Sequence, residues 1–261
     1  MITNKVGLEF EFLLRDKDGN LVFPEDFGFE CDEFIILGEA RAEAGTTPEE
    51  TLANFFNTYY SVKWKAEAKG LTLDLTGYAE VPNDFNAEIM RRMRLKEISQ
   101  SKNIYEDVDI LKMDDSVIKK GKVVGKYIST GLHVHFSSTL TKYLSCSVEI
   151  PVYERVVSMG VAIPIDIYTK TDKSTMSEES IENTVSRITM PVVREFTKNF
   201  DNSILPKHKL GVDLKFRTPG FYEAKHYGFE YRSLPFYEGM LAEGMEEVVL
   251  FSFSLLDSLK I

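Results

Sequence analysis

The order and type of elements in this chain predict an α+β fold, a largely antiparallel sheet covered by helices. Two observations lead there. Strand-like apolar segments carry polar side chains at alternate positions in Gly7-Leu8-Glu9-Phe10-Glu11-Phe12, Gly131-Leu132-His133-Val134-His135-Phe136 and Gly228-Phe229-Glu230-Tyr231-Arg232-Ser233. Between them, apolar residues recur at helical spacing, most clearly after Thr47-Pro48-Glu49-Glu50.

A first strand is expected near residues 5–14, then the turn Asp16-Lys17-Asp18-Gly19-Asn20 and a return strand from Leu21. A further strand over 34–43 ends at Gly45. A helix follows, with Thr47 as N-cap, Pro48 in the first position and Glu50 at the capping-box position. Leu52, Phe55, Phe56, Tyr59 and Tyr60 give it an apolar stripe that reads as core, and Gly70 closes it. Residues 71–80 read as strand, 84–98 as an amphipathic helix and 122–137 as strand interrupted by glycines. Helices are expected near 148–160 and 190–201, strands at 212–217 and 227–235, and a helix with a strongly apolar face from 239 to 261.

The 261 residues suffice for a buried core, and without an internal repeat or a long linker a single domain over 1–261 is expected. With 31 basic against 41 acidic residues the formal charge is −10, so the average field repels nucleic acid and anionic membranes, and neither is expected as a partner. The basic runs Arg91–Lys96 and Lys119–Lys122 lack interleaved aromatics and read as solvated surface. No apolar run approaches the roughly 20 residues that span a bilayer. The first six residues do not resemble a signal peptide, and two cysteines, Cys31 and Cys146, indicate no disulfide framework. A cytoplasmic protein is expected.

Residues i and i+2 of a strand share one face, so Glu9 with Glu11, His133 with His135, and Glu230 with Arg232 project side by side. Taken singly, each pair has an ordinary explanation: the wet face of a half-buried strand, a pair of surface or core histidines, a surface ion pair of small effect. Together, in a chain with four histidines, they describe a face able to hold divalent metal and phosphate. Gly38-Glu39-Ala40-Arg41-Ala42-Glu43 adds Glu39, Arg41 and Glu43 if it is strand. Arg217, shortly before the turn Thr218-Pro219-Gly220, adds a second guanidinium if the chain returns there to Glu230 and Arg232. Guanidinium presents a planar fork to phosphate oxygens and stays charged. A carboxylate-rich set with limited imidazole suits Mg²⁺ or Mn²⁺ better than structural Zn²⁺.

Other chemistries fail on spacing. Gly121-Lys122-Val123-Val124-Gly125-Lys126 is too short for a phosphate loop and lacks the following Ser or Thr. There is no Gly-x-Ser-x-Gly, and neither cysteine has a neighbour that would activate it. His208 and His226 form no second pair, which argues against a binuclear hydrolase and leaves a mononuclear one open.

The ordered set Gly-Leu-Glu-Phe-Glu, Gly-Glu-Ala-Arg-x-Glu, Gly-Leu-His-Val-His-Phe, Arg-Thr-Pro-Gly and Tyr-Gly-Phe-Glu-Tyr-Arg-Ser-Leu-Pro, running from about residue 6 to 236, resembles the carboxylate-amine ligases of the glutamine synthetase and glutamate-cysteine ligase superfamily. It looks closest to the phage-associated type 2 amidoligases, which would place the protein in a host cytoplasm. The resemblance implies a curved, largely antiparallel sheet of the glutamine synthetase catalytic-domain kind, with nucleotide entering one end and the acid substrate the other. It implies ATP and Mg²⁺ or Mn²⁺ as cofactors. Glu9, Glu11, Glu39, Glu43, His133 and Glu230 match the family's metal positions, with His135 the alternative to His133, facing the nucleotide or standing behind the metal. Arg232 matches the phosphate-contacting arginine, and Arg217 and Glu39 are expected to share in catalysis. The pair at 39 and 43 is more closely spaced than in some relatives.

The implied reaction joins a carboxylate and an amine substrate, a peptide or protein among the candidates, through an acyl phosphate, with release of ADP and phosphate. Two other readings stay open: a metal-dependent hydrolase on the same face, and a nucleotide-binding module without turnover. The segments 100–121 and 169–188 are expected as loops that select the substrate, and oligomeric state is left open.

Overall fold

The structure is a computed structural model and describes residues 2–32, 35–80, 102–109, 127–144, 181–211, 214 and 217–259. Its spine is β1 (Ile2–Arg15), fourteen residues long. The turn after it forms as expected: the Asp16 carboxylate accepts the backbone N–H groups of Asp18 and Asn20, and Gly19 takes φ +83°. β2 (Leu21–Val22) then pairs back on Leu14 and Arg15. β3 (Gly38–Arg41) and β4 (Thr72–Asp74) also pair with β1, at different points along its length. β5 (Tyr78–Glu80) and β8 (Tyr127–Ser129) make a separate two-stranded sheet. The remaining strands among the described residues are β6 (Lys102–Asn103), β7 (Glu106–Asp109), β9 (Gly131–Leu144), β10 (Ile181–Ser186), β11 (Phe221–Lys225) and β12 (Gly228–Pro235). The main sheet runs β2-β1-β9-β12-β11-β6-β7, and every described pairing is antiparallel.

Alternation along β1 sorts its two faces. Val6, Leu8, Phe10, Phe12 and Leu14 enter the main core, joined by Leu132, Val134 and Phe136 of β9 and by Phe229 and Tyr231 of β12. Among the described residues, three helices cover that side: α1 (Pro48–Glu67), α2 (Met190–Ser203) and α3 (Met245–Asp257), the last entered through a π turn at Met240–Gly244. Phe55 and Tyr59 of α1 pack against Phe10, and Phe196 and Phe200 of α2 against Phe136. Each such ring removed from water contributes about 1.5–3 kcal/mol. The start of α1 follows its sequence signature, since Thr47 Oγ1 accepts the Glu50 N–H at 3.2 Å. Glu50 reaches back one residue further than a capping box would, to the N–H of Thr46 at 2.7 Å.

Several expected elements are corrected. The strand expected over 34–43 is reduced to Gly38–Arg41, because the chain turns at Ile35–Leu37. The strand expected over 71–80 is two short ones, broken by a turn at which the Asp74 carboxylate accepts the N–H of Thr76. No strand is found at Leu214 or Arg217; the neighbour of β12 is instead β11, through a turn at His226–Tyr227. The expected loops supply strands β6, β7 and β10. The helices expected at 84–98 and 148–160, both basic runs and Gly121–Lys126 lie outside the described residues.

Candidate active site

The other face of the same strands carries the charges. Register places Glu9 opposite both His133 and Arg41, Glu11 opposite Glu39, and His135 opposite both Gly7 and Glu230. Paired residues on adjacent strands share a face, so one stretch of sheet collects all of them. On the far side of β12, Glu223 pairs with Glu230 and brings Lys225 with it.

His133 is the centre. It is fully buried, and its Nδ1 stands 3.0 Å from Glu9 Oε1 and 2.9 Å from Glu230 Oε1, while Nε2 is 3.4 Å from Glu11. Burial and the nearby Arg232 oppose a charge on its ring, yet Glu11 and Glu230 outweigh them and raise its pKa to about 9. Burial alone would also raise Glu9, but hydrogen bonds and charge from His133 and His135 hold it well below the usual carboxylate range. Glu230 is held low as well: burial is outweighed by Arg232 and His133. Glu39 goes the other way, because burial and the adjacent Glu9 charge push it up to about 8 despite Arg41.

Four cations frame the carboxylates. Arg41 bonds Glu9 at 2.6 Å and also pairs with Glu39. Arg232 Nη1 lies 2.8 Å from both Glu230 and Glu223. Lys225 lies 3.0 Å from Glu230 and 2.6 Å from Glu223. Arg217, its side chain 8 % exposed, pairs with Glu11 and donates to the Arg232 carbonyl at 2.9 Å. Its guanidinium lies against Gly131, where an added Cβ would come within 2.4 Å of it. The opening of β9 with glycine therefore makes room for Arg217.

A bulge in β12 shapes this edge. Tyr231 faces Val134 but Leu234 faces Leu132, so three residues of β12 advance against two of β9. The extra residue returns Leu234 to the core side and leaves Arg232 with the carboxylates, while Ser233 Oγ accepts the N–H of Phe221.

The residues expected from sequence are mostly brought together: Glu9, Glu11, Glu39, His133, His135, Glu230, Arg217 and Arg232 share the face. Glu43 does not join them. It is exposed two residues past β3, where the alternation that would align it with Glu39 has ended. Arg217 arrives without the expected hairpin and is already held by Glu11 and two backbone carbonyls. Of the two histidines, His133 is enclosed by carboxylates, while His135 is partly exposed and bonded at 2.6 Å to the Tyr227 hydroxyl. Lys225, Glu223, Tyr227 and Arg41's bond to Glu9 were missed as site features; a Lys-x-x-x-x-Glu spacing across a tight turn was the one available signal for Lys225.

The cluster fits a divalent cation. One ligand atom each from Glu9, His133 and Glu230 lies within 4.8 Å of the others, and all three residues are buried. His133 Nε2 and His135 Nε2 have no hydrogen-bond partner although buried. A proton on His133 places positive charge between the two carboxylates.

Comparison with protein-family models, curated proteins and solved structures found no match to this chain.

Proposed function

We propose that the chain is an ATP-dependent carboxylate-amine ligase whose sheet is of the glutamine synthetase catalytic-domain kind. One observation carries the reading: a buried cluster of Glu9, Glu11, His133 and Glu230, ringed by Arg41, Arg217, Lys225 and Arg232, on the face of an antiparallel sheet. Acidic groups there suit cations, and the cations at the β11–β12 edge suit phosphate oxygens. The ordered motifs that resemble the ligase superfamily fall on these same strands.

In the proposed reaction the γ-phosphoryl group passes from ATP to a substrate carboxylate oxygen, breaking the bond to ADP and forming an acyl phosphate. The amine nitrogen then attacks the carbonyl carbon, phosphate leaves, and the nitrogen gives up a proton. Mg²⁺ or Mn²⁺ held by Glu9, His133 and Glu230, with Glu11 beside them, would neutralise phosphate oxygens. Arg232 and Lys225 orient the phosphoryl group and stabilise its charge. Arg217 acts through Glu11, keeping that carboxylate aimed at His133. Glu39, its pKa pushed up to about 8, would take the amine's proton. No covalent protein nucleophile takes part.

The test is ADP release on incubation with ATP, Mg²⁺ or Mn²⁺ and mixtures of acids and amines. Product-linked ADP release is expected. Activity on amide or ester substrates with Mn²⁺ alone, in the absence of ATP, would instead identify a hydrolase. Tight ATP binding without release under every pairing would identify a binding module.

A further inference from the structure

A cavity of about 210 Å³ lies beside the cluster, between the 3₁₀ turn at Leu205–His208 and the end of β12. Leucines and prolines make its walls, and its polar side chains are His208, Lys209, Arg217 and Thr218. No acidic side chain among the described residues lines it. Arg217 and His208 each keep a buried nitrogen without a hydrogen-bond partner, Nε and Nε2 respectively. An unpaired buried donor is destabilising, so a group that satisfied it would bind with a gain. The other two nitrogens of Arg217 are engaged by Glu11 and the Arg232 carbonyl, which fixes the guanidinium and leaves Nε as its spare donor. His208 Nδ1 lies 3.2 Å from the Tyr237 hydroxyl; with that hydroxyl donating, the neutral ring carries its proton on Nε2.

We propose that this cavity binds a small organic monoanion, a carboxylate on a short branched aliphatic body. Lys209 and Arg217 bring positive charge to the cavity, Arg217 through the Nε that its pairing with Glu11 leaves spare, and no described lining residue is acidic, which favours a negatively charged occupant. The leucine and proline walls select an apolar body, which a bare inorganic anion lacks. The volume of about 210 Å³ is below the roughly 300–1,000 Å³ of drug-sized sites and suits a small acid. The inference does not depend on the ligase reading, since it concerns binding in the absence of ATP and metal.

The test titrates isovalerate, isovaleramide and inorganic phosphate separately into the full chain, followed by calorimetry and ligand-observed NMR. Isovalerate is expected to saturate one site per chain, at least about tenfold tighter than the amide or phosphate. Leu214→Phe, which fills the cavity, and His208→Phe, which removes a polar nitrogen at similar size, should each weaken it by at least about tenfold. Thermal melts establish that each variant is folded, and if Leu214→Phe is not, His208→Phe decides. Equal affinity for the amide would mean apolar filling alone, and equal affinity for phosphate a bare-anion site; either overturns the proposal. So does the absence of saturation up to about 10 mM, or undiminished affinity in the folded variants.

Discussion

Two buried carboxylates, Glu9 and Glu230, face the same imidazole and stay ionised against burial, Glu9 through His133 and His135 and Glu230 through Arg232 and His133, while Arg41 on β3 and Lys225 on β11 add ion pairs. Removing one charge should therefore be felt at the site before it is felt in the fold. Glu230→Gln keeps the shape, and Arg232 and Lys225 retain Glu223 as a partner. Mn²⁺ affinity by calorimetry is expected to drop at least about tenfold and ADP release to vanish, with a cooperative melt retained. Undiminished Mn²⁺ binding would place the cation elsewhere. Arg232→Lys should lower turnover by at least about tenfold with ATP affinity reduced, because an ammonium cannot span two carboxylates and a phosphate with one planar fork. Equal rates for the two proteins would remove Arg232 from the phosphate site. Much of this residue set was legible, since Glu9, Glu11, His133 and Glu230 occupy alternate positions in apolar strands, and period two leaves little freedom. Glu43 falls outside the cluster because alternation predicts a face only while the strand lasts. Lys225, apart from its spacing to Glu230 across a tight turn, and Tyr227 leave little trace in the sequence for another reason: they reach the cluster from the neighbouring strand and its turn, where cross-strand register decides.

At the level of elements, β12 is docked to β9 by backbone contact so close that its first residue must be glycine. A Cβ on Gly228 would lie 2.0 Å from the Phe136 carbonyl oxygen, which is backbone and cannot rotate away. Gly228→Ala is expected to cost at least about 2 kcal/mol, measured as a shift in the urea midpoint with little change in slope. Because Glu230 and Arg232 ride on the same strand, Mn²⁺ affinity should fall with it. A variant of wild-type stability would show that the two strands can separate at this end without consequence. Element prediction succeeded where a local signal was complete, as at the Thr47 cap and the Asp16–Asn20 turn. It failed where tertiary pairing decides. The short β11 follows Pro219-Gly220 in a stretch with no expected strand, yet β6 on one side and β12 on the other hold it in the sheet. Likewise Ile35–Leu37 have strand-like composition but turn, placing Ile36 and Leu37 in the small core with Leu13 and Ile128.

For the whole molecule, the buried histidines give stability opposite dependences on pH. His133 has its pKa raised to about 9, so its contribution is complete below the unfolded value of 6.5 and is lost as pH rises through about 9. His208 is depressed from 6.5 chiefly by burial, helped by Lys207 and opposed by Glu247. As pH falls below 6.5 the unfolded chain takes a proton at His208 that the folded protein refuses, so the unfolded state binds more protons and stability declines. The slope from a single such group is at most about 1.4 kcal/mol per pH unit. Urea unfolding at about pH 7.5 and about pH 5.5 should show the wild type losing stability relative to His208→Phe over that interval. His133 and the carboxylates titrate alike in both proteins and cancel in the comparison. A stability difference that stays constant between the two pH values would mean that His208 protonates as readily in the folded protein as in the unfolded chain, and that its enclosure beside Tyr237 and Gly244 is open to water.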